Sequence, residues 1–256
     1  MPFPLHSLDY DCRRRLRQLV TPREAYDLQI AAPHFDGLKP IQKVLDQQQY
    51  TVKVAINDND EVCVIEDLSK KYDFYLVKII LCVKNFTSNH SARLITDRFV
   101  LAPSVVTFWM CDLTEKFLRD ISTKTETDIR ELSLCYCTFH DDVTLELVCT
   151  LFKKLRHLDV FDNYFFKNTW IDTFISHNFI NMTTITIHAA SIDLLKVEEK
   201  QLIEFMQAQS GVLYISIILE DNCDDSEVRE LLGNLFSNRF LENYVVKEKL
   251  FIFLGG

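Results

Sequence analysis

One apolar pattern recurs in the second half of the chain, and this recurrence restricts the possible folds more than any other feature. Large apolar residues stand at positions 1, 4 and 6 of a six-residue template that occurs five times. The sets are Val105/Phe108/Met110, Ile129/Leu132/Leu134, Leu155/Leu158/Val160, Met182/Ile185/Ile187 and Val212/Ile215/Ile217. Their first residues are 24, 26, 27 and 30 positions apart. Intervals of this length indicate stacked units, each burying its apolar side against its neighbours.

Helical patterns lie between the apolar sets. Four groups at helical spacing are Val143/Leu147/Leu151, Trp170/Phe174, Leu195/Leu202/Phe205/Met206 and Val228/Leu231/Leu235. One strand followed by one helix in each unit predicts an α/β fold, with a parallel sheet and helices outside it. Residues 249–254 are expected to add a last strand.

The ninth position of the template extends the pattern. Cys137 and Asn163 stand there in the second and third sets, whereas the other sets have Leu113, Ala190 and Glu220. The whole pattern resembles the leucine-rich repeat, L-x-x-L-x-L-x-x-N/C. The resemblance implies that the ninth side chain turns inward and satisfies backbone groups of the loop. It implies a short, irregular array with capped ends; a generic α/β domain built from similar units is the alternative.

The region before the array is rich in strand patterns. Residues 50–56 alternate and are β-branched, residues 57–60 form a turn, and residues 61–65 and 74–83 are two further expected strands. These strands are expected to cap the array, and a third short helix is expected within residues 39–50. The predicted division is therefore a helical module at 1–45, a strand-rich cap at 46–103 and a repeat domain at 104–256.

Two short amphipathic helices are predicted near the start of the chain. Thr21, Pro22 and Glu24 make a capping box, in which Thr21 is the N-cap and Glu24 stands at the third helical position. The preceding helix has an apolar face of Cys12, Leu16, Leu19 and Val20. An ordinary helical hairpin is one interpretation of this pair.

The same stretch resembles an F-box, the helical module with which substrate receptors dock onto the Skp adaptor of cullin-based ubiquitin ligases. Matching residues run from Phe3 to Leu38, although Asp9 stands where many members have proline. The resemblance, to the divergent F-box proteins of nematodes, assigns adaptor binding to Pro4, Leu5, Leu8, Leu16, Leu19, Pro22 and Leu28. It implies a ligase subunit whose partners are the adaptor, its cullin complex and an unknown target protein.

The residues between the inward template positions are expected to face the target. They are Arg130, Glu131, Ser133, Arg156, His157, Asp159, Thr184, Thr186, Tyr214 and Ser216. This mixed polar set suits a protein partner. A stand-alone repeat-type binding protein, whose N-terminal helices only cap the array, is the alternative function.

Composition and motifs disfavour other classes of function. A net charge of −9 disfavours nucleic acid. No apolar stretch suggests a membrane span or a signal peptide, so a cytoplasmic or nuclear protein with reduced cysteines is expected. Five glycines leave no phosphate-binding loop. Cys135, Cys137 and His140 are expected to be core or turn residues rather than metal ligands. We therefore expect no enzyme activity, cofactor or metal, although a Cys/His site assembled only in the fold is left open.

Overall fold

The computed structural model describes residues 7–39, 51–64, 75–161, 165–220, 224–235 and 250–254. Some sequence predictions concern residues outside these ranges. They are those for Pro4, Leu5 and Asn163, and for the helix expected within residues 39–50, of which only Lys39 is described. The described helices are α1 (Tyr10–Leu19), α2 (Pro22–Ala31), α3 (Arg93–Thr96), α4 (Glu115–Lys124), α5 (Leu145–Leu151), α6 (Trp170–Ser176), α7 (Glu199–Gln207) and α8 (Asp225–Leu235). A 3-10 helix covers Ile192–Leu195.

Nine of the described strands form one sheet. They are β1 (Thr51–Ile56), β2 (Val62–Val64), β4 (Ile80–Lys84), β6 (Val105–Trp109), β8 (Glu131–Cys135), β10 (His157–Phe161), β11 (Thr184–Ala190), β12 (Leu213–Leu219) and β13 (Leu250–Leu254). Their order is β13-β12-β11-β10-β8-β6-β4-β1-β2. All pairs from β1 to β12 are parallel, and the two edge strands pair antiparallel. The predicted α/β fold with a mainly parallel sheet is confirmed.

The strand expected at residues 74–83 is two strands in different sheets. β3 (Tyr75–Val77) pairs with β5 (Phe99–Leu101) in a small parallel sheet, whereas β4 pairs with β1 and β6 in the large one. Lys78 and Ile79 separate the two strands. A second small sheet joins β7 (Asp112–Leu113) to β9 (Thr138–Phe139). Because β4 pairs with β6, the large sheet continues across the boundary predicted between residues 103 and 104.

The register and burial confirm the second, third and fourth template sets and correct the first. In the fifth set Ile215 and Ile217 are inward as predicted, but Val212 is 45% exposed, so its inward assignment was wrong. Across β6, β8, β10, β11 and β12, the paired inward residues are Val106, Leu132, Leu158, Ile185 and Ile215, followed by Phe108, Leu134, Val160, Ile187 and Ile217. All of them are buried. The first set is therefore Pro103, Val106 and Phe108. Assigning Val105 and Met110 to inward positions was wrong, because Val105 is half-buried and Met110 is 56% exposed.

The strand ends follow a rule that the corrected register makes visible. Asn85 after β4, and Met110, Tyr136 and Ala189 at template position 8, have left-handed backbone, with φ between +51° and +59°, whereas Leu219 of the fifth set does not. This turn sends the next residue into the core, so Phe86, Cys111, Cys137 and Ala190 are buried. Cys111, rather than the predicted Leu113, is the ninth residue of the first set.

The two ninth-position cysteines make equivalent contacts. The Cys111 thiol lies 3.5 Å from the Val83 carbonyl oxygen and 3.4 Å from that of Trp109. One strand along, the Cys137 thiol lies 3.5 Å from the carbonyl oxygens of Phe108 and Cys135. A thiol is a weak donor, but these carbonyl groups lie at a buried turn where water has little access. The inward role predicted for Cys137 is confirmed.

The helices cover one face of the sheet. The four predicted helical groups correspond to α5, α6, the 3-10 helix with α7, and α8, except that Val143 precedes α5. α4 was not predicted, although it begins at the N-cap Thr114 and buries Phe117, Leu118 and Ile121. These helices join the inward strand residues in one continuous core. The other face of the sheet carries the outward strand residues.

The predicted helix pair and capping box are present near the start of the chain. The Glu24 amide donates to Thr21 Oγ1 at 3.3 Å, and the Thr21 amide donates to Glu24 Oε2 at 2.9 Å. Arg23 attaches α2 to the array through its amide, which donates to the Asp97 carbonyl at 3.2 Å, and its guanidinium, which lies 3.0 Å from Glu126. α2 is thus joined to Asp97, which precedes β5, and to Glu126, which follows α4.

Candidate binding surface on the open sheet face

Two polar rows cross the sheet face that lies opposite the helices. The strand register aligns Glu131, His157, Thr184 and Tyr214 in the first row, and Ser133, Asp159, Thr186 and Ser216 in the second. Arg130 and Arg156 are exposed immediately before β8 and β10. The strand register therefore brings eight of the ten residues predicted to face a target together on one surface, which we call the open sheet face. Arg130 and Arg156 lie at its edge, and Arg130 also borders a cavity with Ser122 and Phe152 on the helix side.

Asp159 lies near the centre of this face. Its Oδ1 atom is 3.2 Å from Nε2 of His188 on the neighbouring strand. The contact is close but is not a directed hydrogen bond, because this buried oxygen has no hydrogen-bond partner among the described residues. Burial raises the pKa of the Asp159 carboxyl above 3.8, and the nearby His188 and His157 only partly oppose this rise.

A third row on the same face is aromatic and was missed from the sequence. Trp109, Cys135, Phe161 and His188 are consecutive partners across β6, β8, β10 and β11. Tyr136, which follows Cys135 and is 57% exposed, lies between two of the rings. Its ring centroid is 5.3 Å from that of Trp109 and 5.2 Å from that of Phe161.

Both ends of this row have polar neighbours. The His188 ring stacks on Phe161, with 3.6 Å between centroids and 7° between ring planes. At the other end, Nζ of Lys84 is 5.3 Å from the centre of the Trp109 ring, a cation–π distance. We call Lys84, Trp109, Tyr136, Phe161 and His188 the aromatic row.

The misplaced first template set explains why the aromatic row was missed. That set placed Trp109 at position 5, whereas Cys135, Phe161 and His188 stand at position 7 of the later sets, just beyond the six-residue template. Aligning Cys111 with Cys137 at the ninth position would have placed Trp109, Cys135, Phe161 and His188 at one equivalent position. The two cysteines were thus the signal in the sequence that could have identified the row.

Cys135 beside the aromatic row and Cys149 on α5 are not activated thiols. Burial, with a smaller effect of Asp159, raises the pKa of Cys135 to about 11. Burial likewise raises the pKa of Cys149 to about 12. Both thiols are therefore protonated at neutral pH, whereas a nucleophilic cysteine needs a lowered pKa. Within the described ranges, no group of three or more His, Cys, Asp or Glu side chains has an arrangement that could hold a metal ion.

The described residues assigned to adaptor binding are Leu8, just before α1, and Leu16, Leu19, Pro22 and Leu28 on the helix pair. Leu8, Leu16, Pro22 and Leu28 are half-buried, and Leu19 is 67% exposed. α1 has no buried residue. Asp9, which departs from the F-box pattern, is the N-cap of α1, because its carboxylate accepts the Cys12 amide hydrogen bond at 2.7 Å. None of the described helices is long and apolar enough to cross a membrane.

The chain is thus an α/β protein with a mainly parallel sheet, and the open sheet face and the exposed apolar side chains of α1 and α2 are two separate surfaces on it. Comparison of the chain with protein-family models, curated proteins and solved structures gives no match. A proposal for the function therefore rests on these surfaces and on the resemblance of residues 3–38 to an F-box.

Proposed function

We propose that this chain is a substrate-recognition subunit of a cullin-type ubiquitin ligase. In this proposal α1 and α2 dock onto a Skp-type adaptor, and the open sheet face of a leucine-rich-repeat-like array holds a target protein. The chain itself performs no bond chemistry. By holding the target and the adaptor-bound ligase together, it raises the effective concentration of the target near the ubiquitin-transferring subunit.

The exposed apolar side chains of the helix pair are the main observation behind the docking proposal. Leu19 is 67% exposed and Ile30 is 63% exposed, and α1 has no buried residue. A short helix that buries nothing gains little stability from its own tertiary packing. Covering Leu19 and Ile30 with a partner would remove apolar surface from water, which favours association.

The target-binding proposal is supported by the exposed side chains of the parallel array. Successive units align their outward residues in rows, and repeat arrays use such extended faces for binding. The rows mix charged, hydroxyl and aromatic side chains, including Glu131, Tyr214 and Trp109. Aromatic residues are enriched in protein interfaces, since they bury a large area while keeping a polar group available.

A stand-alone binding protein is the second candidate, and the attachment of α2 to the array favours it. Arg23 forms an ion pair with Glu126 and an amide hydrogen bond with Asp97, while Ala25 is fully buried. These contacts suit a helix pair that covers the end of a repeat array. They leave Leu19 exposed, so end-capping alone does not account for the apolar surface of α1.

Co-purification with a Skp-type adaptor separates the two candidates. The double substitution Leu16→Asp with Leu19→Asp is expected to abolish co-purification. Each buried leucine contributes roughly 1.5–3 kcal/mol, so the loss of both weakens binding about a hundredfold or more. The stand-alone candidate predicts that the wild-type chain does not recover the adaptor.

The matched control is Gln18→Asp, which adds one negative charge at an exposed position of the same helix. It is expected to retain the adaptor. Thermal unfolding of the double variant shows whether the array is still folded. Undiminished adaptor recovery by the folded double variant would contradict the proposed docking site.

A further inference from the structure

The spacing of the aromatic row matches a particular backbone conformation of a ligand. Trp109 and Phe161 belong to β6 and β10, which are separated by β8. Two strand spacings place their backbones about 9.6 Å apart. One turn of a polyproline II helix contains three residues and rises by about 9.3 Å. Prolines three positions apart would therefore meet Trp109 and Phe161 in succession.

The row also offers the polar groups that a polyproline II backbone requires. Such a backbone makes no internal hydrogen bonds, so its carbonyl groups are available as acceptors. The Trp109 indole N–H and the Tyr136 hydroxyl are potential donors, and neither has a hydrogen-bond partner among the described residues. Aromatic side chains with a donor group are typical of grooves that bind proline-rich segments.

The charges at the two ends of the row are opposite. Lys84 lies beside Trp109 at one end. At the other end Asp159 lies beside His188 and two residues before Phe161 on the same strand. These charges favour a ligand that has an acidic residue next to the proline over Trp109 and a basic residue next to the proline over Phe161. This charge order would orient the segment on the sheet.

We propose that the aromatic row binds a proline-rich segment of the target protein in the polyproline II conformation. The proposal rests on the proposed function, in which the open sheet face holds the target. Single-stranded nucleic acid could also stack on aromatic rings. The net charge of −9 and the carboxylates of Glu131 and Asp159 on the same face oppose a polyanion.

Titration of the isotope-labelled full chain with a synthetic peptide tests this assignment. The peptide has two prolines three positions apart, a glutamate before the first and an arginine after the second. The chain contains two tryptophans, and Trp170 is buried with its indole N–H donating to the Leu194 carbonyl at 3.3 Å. We expect the indole signal of Trp109 to shift on binding and that of Trp170 to stay in place. Trp109→Phe assigns the two signals.

Three variants establish whether the peptide lies on the aromatic row. Trp109→Ala and Phe161→Ala are each expected to weaken binding at least about tenfold. Ile175→Ala is the control, because Ile175 is an exposed apolar residue of α6, on the helix-covered side of the sheet and outside both proposed binding surfaces. It is expected to change the affinity less than about twofold. Equal losses for all three variants would overturn the assignment.

A charge reversal provides a test that does not remove a ring. Lys84→Glu is expected to weaken the glutamate-bearing peptide and to strengthen a peptide with lysine at that position. An unchanged preference would contradict the proposed orientation. No binding of either peptide by the folded wild-type chain, or equal binding of an oligothymidylate, would overturn the proline-rich ligand. Adaptor recovery is measured separately, so failure of the ligand proposal is distinguished from failure of the proposed function.

Discussion

Replacing Met110 by alanine and by glycine tests the strand-end conformation on which the placement of Trp109 depends. Met110 has a φ of +52°, and left-handed backbone costs a non-glycine residue about 1–2 kcal/mol. Glycine removes this strain, but its greater freedom in the unfolded chain costs about 0.5–1 kcal/mol. The glycine variant is therefore expected to be more stable than the alanine variant by roughly 0.7 kcal/mol.

The comparison with wild type has an equally definite expectation. Met110 is 56% exposed, so less than half of its side chain is removed from water. Full burial of methionine contributes about 1.5–3 kcal/mol, and the alanine variant should accordingly lose about 1 kcal/mol. If Met110 pointed into the core, as the first sequence template implied, the loss would be about 2–5 kcal/mol.

The same pair of substitutions at Thr107 is the control. Thr107 lies inside β6 and is not among the residues with positive φ, so alanine should be more stable than glycine there by about 0.5–1 kcal/mol. Urea titration of the four variants gives the free energies of unfolding, provided that the slope against urea is unchanged. The reasoning would be refuted if the same residue, alanine or glycine, gave the more stable variant at both positions. A loss of more than about 2 kcal/mol in the free energy of unfolding of Met110→Ala would also refute it.

Two further predictions concern the capping box and the central carboxylate. Thr21→Ala removes the N-cap and should destabilise α2 by about 1 kcal/mol, measured as faster hydrogen exchange of the Ala25 amide, whereas Thr21→Ser should preserve protection. Asp159→Asn should raise the melting temperature at pH 7: burial raises the folded-state pKa of Asp159, so its ionisation lowers stability as pH rises above 3.8. The difference should vanish towards pH 3.8 and below. A lower melting temperature at pH 7 would show that attraction to His188 outweighs burial.

Elements whose signals are local were predictable from the sequence. The capping box needs only Thr21, Pro22 and Glu24, and both of its hydrogen bonds form within one helical turn. Strand patterns at four of the template sets were equally readable, because alternation is set by neighbouring residues. The first set failed since Val105 and Val106 are both apolar and Met110 is apolar but exposed, so hydrophobicity alone did not fix its starting residue.

The α4 helix and the split between β3 and β4 show two further limits of the sequence. Phe117, Leu118 and Ile121 have helical spacing, but no equivalent helix had been expected after the first set. Residues 75–84 are apolar enough to suggest one long strand. The break at Lys78 and Ile79 depends on two different pairing partners, β5 and β6, which lie later in the chain.

The sequence by itself determined the helix pair, the strand–helix alternation and the inward residues of three units, because each follows from contacts within a few residues. Only the tertiary structure decided which outward residues share a row. Asp159 meets His188, and Trp109 joins Phe161 and Tyr136, through lateral hydrogen bonding between strands more than 20 residues apart. Apolar periodicity specifies which side of a strand is buried, but the strand partners and their register specify what its exposed side chains have as neighbours.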